Sequence, residues 1–149
     1  MSSDAGREAT VRRAIAAATA AREHAYAPYS CFRVGAAVVT SSGEVFAGAN
    51  VENASYGLTA CAERVAIWTA TVAGSSEFRF VVVVTDTPQP VPPCGACRQV
   101  LSELAPQARM IMATLGGPYQ ETTVQALLPG AFGAGDLMPG AAPRPLRNL

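Results

Sequence analysis

Charged residues are scarce in this chain of 149 residues. Asp, Glu, Lys and Arg make up 15% of it, against roughly a quarter in an average globular protein, and its 11 basic and 11 acidic residues cancel. Zero net charge provides no broad positive surface, so we expect no nucleic-acid polymer among its partners. A small domain this poor in charge is expected to hide part of its surface against copies of itself.

Long apolar runs are also missing, although half of the residues are hydrophobic. No stretch reaches the roughly 18 apolar residues that a membrane-spanning helix needs, so we expect no membrane partner. Arg12 and Arg13 precede a short alanine-rich stretch that resembles a signal peptide only superficially, because charges flank it on both sides. We therefore expect a cytoplasmic protein.

Histidine occurs once and cysteine four times. His24 falls at the end of a predicted helix, where a surface or capping role is expected. Cys94 and Cys97 pair poorly as a structural disulfide and well as metal ligands, which indicates a reducing compartment. Cys31 lies outside that pattern, and we expect it to be an incidental thiol.

A chain of this length is expected to form a single domain over residues 1–149, with a core over about 7–137 and an irregular tail over 138–149. Hydrophobic periodicity and turn residues then predict the elements. They are a helix over 7–25 after a frayed start, strands over 32–40, 45–49, 80–85, 110–114 and 119–122, helices over 61–73 and 96–104, and a last short helix capped by Thr123. Alternation of strands with helices after a hairpin predicts a mixed sheet covered by helices on both faces.

Three thiols and one carboxylate form the motif that points to chemistry. Cys61 and Glu63 open an apolar helical run, and Cys94 and Cys97, with two residues between them, open the next helix. Three sulfur ligands with a carboxylate that does not bind the metal are the signature of zinc nucleobase deaminases. Both segments are loop-to-helix junctions after strands, so we expect them to meet at one edge of the sheet.

The residue types suit hydrolytic deamination. A catalytic zinc ion keeps one of its four positions open for water and brings the pKa of that water close to neutrality. Glu63 is the expected proton shuttle between the water, the pyrimidine ring and the departing amine. Arg64, three residues after Cys61, can donate hydrogen bonds to sulfur and offset the excess charge of three thiolates.

Four blocks of the sequence resemble the small, homotetrameric, bacterial-type cytidine deaminases, a family of zinc-dependent nucleoside deaminases. They are 26–37 (YAPYSCFRVGAA), 50–64 (NVENASYGLTACAER), 93–99 (PCGACRQ) and 127–132 (LLPGAF). The resemblance implies an α/β fold of three layers, α/β/α, with a mixed five-stranded sheet. It also implies Zn²⁺ as the cofactor, a role in pyrimidine salvage, and a homotetramer with its sites at subunit interfaces.

The resemblance further implies a role for each residue that matches the family pattern. Cys61, Cys94 and Cys97 would bind zinc, and Glu63 would move protons. Arg64 would bind the zinc thiolates.

The remaining matched residues would bind the nucleoside. Asn50 and Glu52 would bind the ribose hydroxyls, and Phe32 would pack against the pyrimidine. The backbone at Ala62 would read the edge of the base. Tyr56 lies near a subunit boundary, and Phe132 resembles the aromatic residue that the family lends to a neighbouring subunit's pocket.

Three functions are open at this point. The first is hydrolytic deamination of cytidine and 2′-deoxycytidine to uridine and 2′-deoxyuridine plus ammonia. The second is the same chemistry on a modified cytidine, a nucleoside antibiotic such as blasticidin S, or another heterocycle. The third is a structural zinc or redox module in which Cys31 or His24 completes the ligands. A flipped base within a polymer is disfavoured, because the 3′ oxygen that a ribose-binding pair would contact carries phosphate there.

Overall fold

A five-stranded sheet in the order β2-β1-β3-β4-β5 forms the centre of the computed structural model, which describes residues 2–138 and 140. The strands are β1 (Val34–Thr40), β2 (Val45–Ala49), β3 (Phe78–Thr85), β4 (Arg109–Thr114) and β5 (Tyr119–Thr123). β3 and β4 are parallel, and every other neighbouring pair is antiparallel. The predicted mixed sheet is confirmed. Apart from Met138 and Gly140, the predicted tail over 138–149 lies outside the described residues.

Helices cover both faces of the sheet, as the sequence predicts. They are α1 (Ser2–Arg22), α2 (Ala62–Val72), α3 (Gly95–Leu104) and α4 (Val124–Leu127), with single 3₁₀ turns at Tyr56–Leu58 and Ala134–Leu137. Because neighbouring strand residues point to opposite faces, Val39 packs in the core beneath α1 and Val38 in the core beneath the other three helices. No helix within the described part of the chain is both long and apolar enough to cross a bilayer.

Helix α1 differs from its prediction at both ends. It begins at Ser2 instead of Arg7, so the predicted frayed start is wrong for the residues described there. The negative charge of Asp4 in the first turn interacts favourably with the positive end of the helix dipole. Arg7, one turn later, binds Glu121 of β5. The helix ends at Arg22 instead of about residue 25, because the backbone N–H of Tyr26 donates to Asn50 O, 2.9 Å away.

Two glycines allow the helices to approach the sheet closely. A Cβ atom at Gly35 of β1 would lie 1.9 Å from the carbonyl oxygen of Ala18 on α1. A Cβ atom at Gly48 of β2 would lie 2.6 Å from the backbone nitrogen of Ala66 on α2. At both glycines the nearest atom belongs to the helix backbone, and the Cβ atom of a residue on the same helix lies next to it.

An acidic residue on β5 binds two arginines. Glu121 accepts hydrogen bonds from Arg7 of α1 and, at 2.6 Å, from Nε of Arg109 on β4. Burial alone would raise the pKa of Glu121, but the two guanidinium groups outweigh it and hold that pKa below its usual value. The ionised carboxylate therefore connects helix α1 to β5, a strand at the edge of the sheet.

Because the Glu121 carboxylate is stabilised in its ionised form, its contribution to the free energy of unfolding should depend on pH. At neutral pH, Glu121→Gln should lower the free energy of unfolding by about 0.5–1 kcal/mol, because the ion pairs are only partly buried. A lowered folded-state pKa stabilises the protein above the unfolded-state pKa, and that stabilisation is lost as the pH falls through the folded-state value. Urea unfolding at neutral and acid pH should thus show the two proteins converging in acid. Glu77→Gln, at an exposed position, is the control, and a difference that persists in acid would contradict the assignment.

Candidate metal centre

Two helices begin side by side and bring three cysteines together. Cys61 is the residue that precedes α2, and Cys94 is the residue that precedes α3. Cys97 lies in the first turn of α3 and is buried. Because β1 is antiparallel to both β2 and β3, the two strands that lead to these helices end at the same edge of the sheet. The predicted meeting of the two segments is what the structure shows.

The spacing of the sulfurs fits a tetrahedral metal site. The three Sγ atoms lie within 4.8 Å of one another, and the Sγ atoms of Cys61 and Cys94 are 3.8 Å apart. Thiolates about 2.3 Å from a tetrahedral zinc ion are separated by about 3.8 Å. In the described residues neither His24 nor Cys31 joins this group; both are exposed. Three protein ligands leave a fourth position for water, as in catalytic rather than structural zinc sites.

Cys61 lies where a thiolate is favoured. A hydrogen bond with Cys97, helped by Arg64, lowers the pKa of Cys61 to about 5 against the effect of burial. The same contact raises the pKa of Cys97. Arg64 Nη2 lies 3.4 Å from Cys61 Sγ and 3.1 Å from the carbonyl oxygen of Thr59, and its guanidinium group lies over the Trp68 ring. A thiolate at Cys61 with a cation at its side, and two further sulfurs within reach, suits a divalent metal.

A carboxylic acid is buried next to these sulfurs. Glu63 lies in the first turn of α2 and is only 4% exposed. Burial raises its pKa to about 7, and the negative charge of Cys61 adds to the rise. A carboxyl group that titrates near neutral pH can both accept and release a proton during a reaction.

A small ladder of backbone hydrogen bonds places two polar side chains beside the cysteines. Val51 pairs with Ala60, the residue before Cys61, through hydrogen bonds of 2.9 and 3.0 Å. Asn50 and Glu52 flank Val51, so the structure brings both residues to the entrance of α2. No local pattern in the sequence predicts this pairing of Val51 with Ala60.

The amide of Asn50 fixes the backbone of a neighbouring segment. Its Oδ1 accepts a hydrogen bond from Val34 N, and its Nδ2 donates one to Phe32 O, both at 2.8 Å. Asn50 is 7% exposed. An amide has two donor hydrogens and two acceptor lone pairs, so Asn50 keeps one of each for a ligand.

The carboxylate of Glu52 lines an open cleft of about 340 Å³. Its Oε1 accepts hydrogen bonds from the backbone N–H groups of Tyr29 and Ser30 at 2.9 and 3.1 Å, and its Oε2 accepts one from the Ser30 hydroxyl. Tyr29, Ser30, Tyr56 and Thr59 line the rest of the cleft, and the rings of Tyr29 and Tyr56 meet edge to face at 5.8 Å. Sequence reasoning assigns no role to Tyr29, Ser30 or Thr59, although all three lie within the blocks that carry the resemblance.

Two aromatic residues with expected roles are exposed. Phe32 is 43% exposed and Phe132 is 58% exposed. The described residues that line the cleft do not include Phe132; its carbonyl oxygen accepts a hydrogen bond from Gln99 Nε2 at 2.8 Å. One copy of the chain therefore does not bring Phe132 into the cleft.

The chain is similar in sequence and in structure to known proteins of one family. Residues 8–114 match the family model described as the cytidine and deoxycytidylate deaminase zinc-binding region. The cytidine deaminase of Halalkalibacterium halodurans is 54% identical over 124 residues, which cover 83% of this chain and 94% of that protein. The crystal structure of the Burkholderia pseudomallei cytidine deaminase superposes with a TM-score of 0.78 at 51% identity, covering 81% of this chain and 98% of that one. Similarity to the blasticidin-S deaminase of Bacillus cereus is weaker, with 32% identity over 64% of this chain and 74% of that protein.

Proposed function

Since the chain belongs to the cytidine and deoxycytidylate deaminase family, we propose that it hydrolyses cytidine and 2′-deoxycytidine to uridine and 2′-deoxyuridine plus ammonia. The cluster of three cysteine sulfurs with a buried carboxyl group beside it supports this proposal most directly. That arrangement provides a metal position with one open corner and a group that exchanges protons near neutral pH.

Zinc fits the donor set, and Cys61, Cys94 and Cys97 would hold it. When bound, the ion supplies the Lewis acidity that makes water nucleophilic near neutral pH. Arg64 offsets the negative charge of the thiolates through its contact with Cys61, which keeps the metal electron-poor.

Glu63 is the proposed proton shuttle. The attacking water loses a proton as its oxygen bonds to carbon 4 of the pyrimidine, and Glu63 takes that proton. The same carboxyl group gives this proton to the ring nitrogen. It then takes the second proton from the hydroxyl now bonded to carbon 4 and passes it to the amine, which leaves as ammonia as the carbon–nitrogen bond breaks and the carbonyl forms. Burial of Glu63 supports this role, because a pKa near neutrality is the value at which one group serves as both base and acid.

The remaining roles concern the substrate. The free N–H and lone pair of Asn50, together with the remaining acceptor capacity of Glu52, suit a ribose hydroxyl, which both donates and accepts. Phe32 would pack against the pyrimidine. The first N–H groups of a helix lack partners within that helix, so the backbone at Ala62, where α2 begins, is available for the edge of the base.

The cleft favours a free nucleoside over a nucleotide. Glu52 contributes a carboxylate to its lining, and the other described lining residues are Tyr29, Ser30, Tyr56 and Thr59, which carry no positive charge at neutral pH. A phosphate group placed near Glu52 would meet like charge, which costs several kcal/mol when desolvated. In a nucleic-acid polymer, the phosphate on the 3′ oxygen of the bound nucleotide would meet the same like charge.

We also propose that the protein is a homotetramer with sites at subunit interfaces, in which Tyr56 and Phe132 reach or border a neighbouring copy's pocket. Large exposed apolar side chains support association, since such patches mark protein interfaces. They include Tyr56, Leu58, Trp68, Val72 and Phe132. A single domain over 1–149 that acts in the cytoplasm in pyrimidine salvage completes the proposal.

An absorbance assay tests this function. The zinc-loaded protein should deaminate cytidine and 2′-deoxycytidine and should process cytidine monophosphate at least about 100-fold more slowly, because of the like charge at Glu52. A strong zinc chelator should abolish activity, and added zinc should restore it. Blasticidin S in the same panel tests the second candidate. Absence of cytidine turnover by the zinc-loaded protein would contradict the proposal.

A further inference from the structure

The loop that holds Tyr29 to Phe32 folds around the carboxylate of Glu52. Backbone N–H groups of Tyr29 and Ser30 donate to Oε1, and the hydroxyl of Ser30 donates to Oε2. The same hydroxyl oxygen accepts a hydrogen bond from Phe32 N at 3.0 Å. Ser30 therefore connects the residue proposed to pack on the base with the residue proposed to bind the sugar.

The chain reverses sharply to make this connection. Cys31, between the two ends of the link, has a φ angle of 55°, in the left-handed region that residues other than glycine seldom adopt. That conformation turns Phe32 N back toward Ser30, while Phe32 O is held by the amide of Asn50. The backbone of Phe32 is thus held from both sides.

Glu52 has one hydrogen-bond acceptor position left for a ligand. An ionised carboxylate has about four acceptor positions, and the loop uses three of them, two on Oε1 and one on Oε2. The remaining position is on Oε2, the oxygen that the Ser30 hydroxyl holds. Loss of this hydroxyl would free Oε2 to turn away from the cleft, although the backbone would still anchor Oε1.

We propose that Ser30 is a positioning residue that fixes Glu52 Oε2 for recognition of the sugar, while Asn50 continues to hold the backbone of Phe32 when the Ser30 hydroxyl is removed. This inference rests on the proposed function, because it assigns Ser30 a part in binding the same nucleoside. Ser30 acts through Glu52 and contacts no reacting atom, so its effect falls on binding of the ground state. The hydroxyl also lowers the pKa of Glu52, which keeps the carboxylate an acceptor.

The test is steady-state kinetics of Ser30→Ala on two substrates. For cytidine we expect KM to rise about tenfold, as for loss of a hydrogen bond to a charged group, with kcat within about twofold of the original. For 2′,3′-dideoxycytidine, which lacks the hydroxyls that Glu52 would bind, Ser30→Ala should leave kcat/KM unchanged. Ser30→Thr keeps the hydroxyl and should restore the KM for cytidine to within about threefold.

A matched serine provides the control. Ser42, in the turn between β1 and β2, lies 3.3 Å from Glu44 Oε2 through its hydroxyl, so Ser42→Ala removes a similar contact away from the cleft and should leave both kinetic parameters unchanged. Ser30 is exposed, so the core is unaffected; if Ser30→Ala still melts early, Ser30→Cys keeps the side-chain size and removes the strong donor.

Each outcome separates this inference from the proposed function. If the unmodified protein does not deaminate cytidine, the proposed function fails. If the unmodified protein does deaminate cytidine, three results for Ser30→Ala would show that Ser30 is not a positioning residue for sugar recognition. They are an unchanged KM for cytidine, a loss of kcat instead of a rise in KM, and an equal loss of kcat/KM on 2′,3′-dideoxycytidine.

Discussion

Glu63→Gln is expected to retain zinc and to lose turnover of cytidine by about 10⁴-fold, the upper range for removal of a general acid–base group. Glutamine has nearly the same shape as glutamate but neither accepts nor releases a proton near neutral pH. Glu63 is also buried, so water cannot easily replace it. Because every proton transfer of the proposed mechanism passes through this carboxyl group, the loss should fall on kcat.

The measurement pairs turnover with metal content. The zinc content per chain of Glu63→Gln should equal that of the unmodified protein. The proposed ligands are the three sulfurs, and Glu63 is not among them. Glu103→Gln replaces an exposed carboxylate on the neighbouring helix α3 and should be fully active. Undiminished turnover by Glu63→Gln would exclude the shuttle role, and loss of zinc would show that Glu63 supports the metal site instead.

Gly35→Ala should destabilise the protein more than most single substitutions. The added methyl group would lie 1.9 Å from the carbonyl oxygen of Ala18, which is backbone and has no rotamer to adopt. Relief requires α1 to move off the sheet, at a cost of about 3 kcal/mol, the upper range for overpacking. For a chain of this size that corresponds to a fall in Tm of about 10 °C.

Gly6→Ala is the control on the same helix. A Cβ atom at Gly6 would meet nothing within 4 Å, and alanine is the better helix former, so stability should rise by about 0.5–1 kcal/mol. Thermal unfolding followed by circular dichroism compares the two. A Tm for Gly35→Ala equal to that of the unmodified protein would show that the helix shifts without cost.

The sheet could be predicted because its signals are local. The continuous apolar run from Phe80 predicts a strand buried on both faces, and helices do cover both faces. The extent of α1 was not predictable. Its alanine-rich sequence has no strong stop signal before Pro28, although the helix ends at Arg22, and its first turns are held by Arg7 on Glu121, 114 residues away.

The candidate site shows the same division. Cys94 and Cys97 could be chosen because they have the short spacing that zinc ligands use, and Cys61 because, with Glu63, it completes the signature of zinc nucleobase deaminases. The contact of Ser30 with Glu52 depends on a reversal at Cys31, and no local pattern predicts a left-handed cysteine. The role of Phe132 stays a prediction, since it depends on a second copy of the chain.

β5, which together with β2 forms the two margins of the sheet, limits how copies of this protein can associate. A strand at the margin of a sheet leaves backbone groups unpaired on one side, and these invite another chain to extend the sheet. β5 has only five residues, all polar or amphipathic, and its central Glu121 is an ionised group. Short polar margins resist such growth, so copies of this protein should not extend the sheet or grow into fibres through β5.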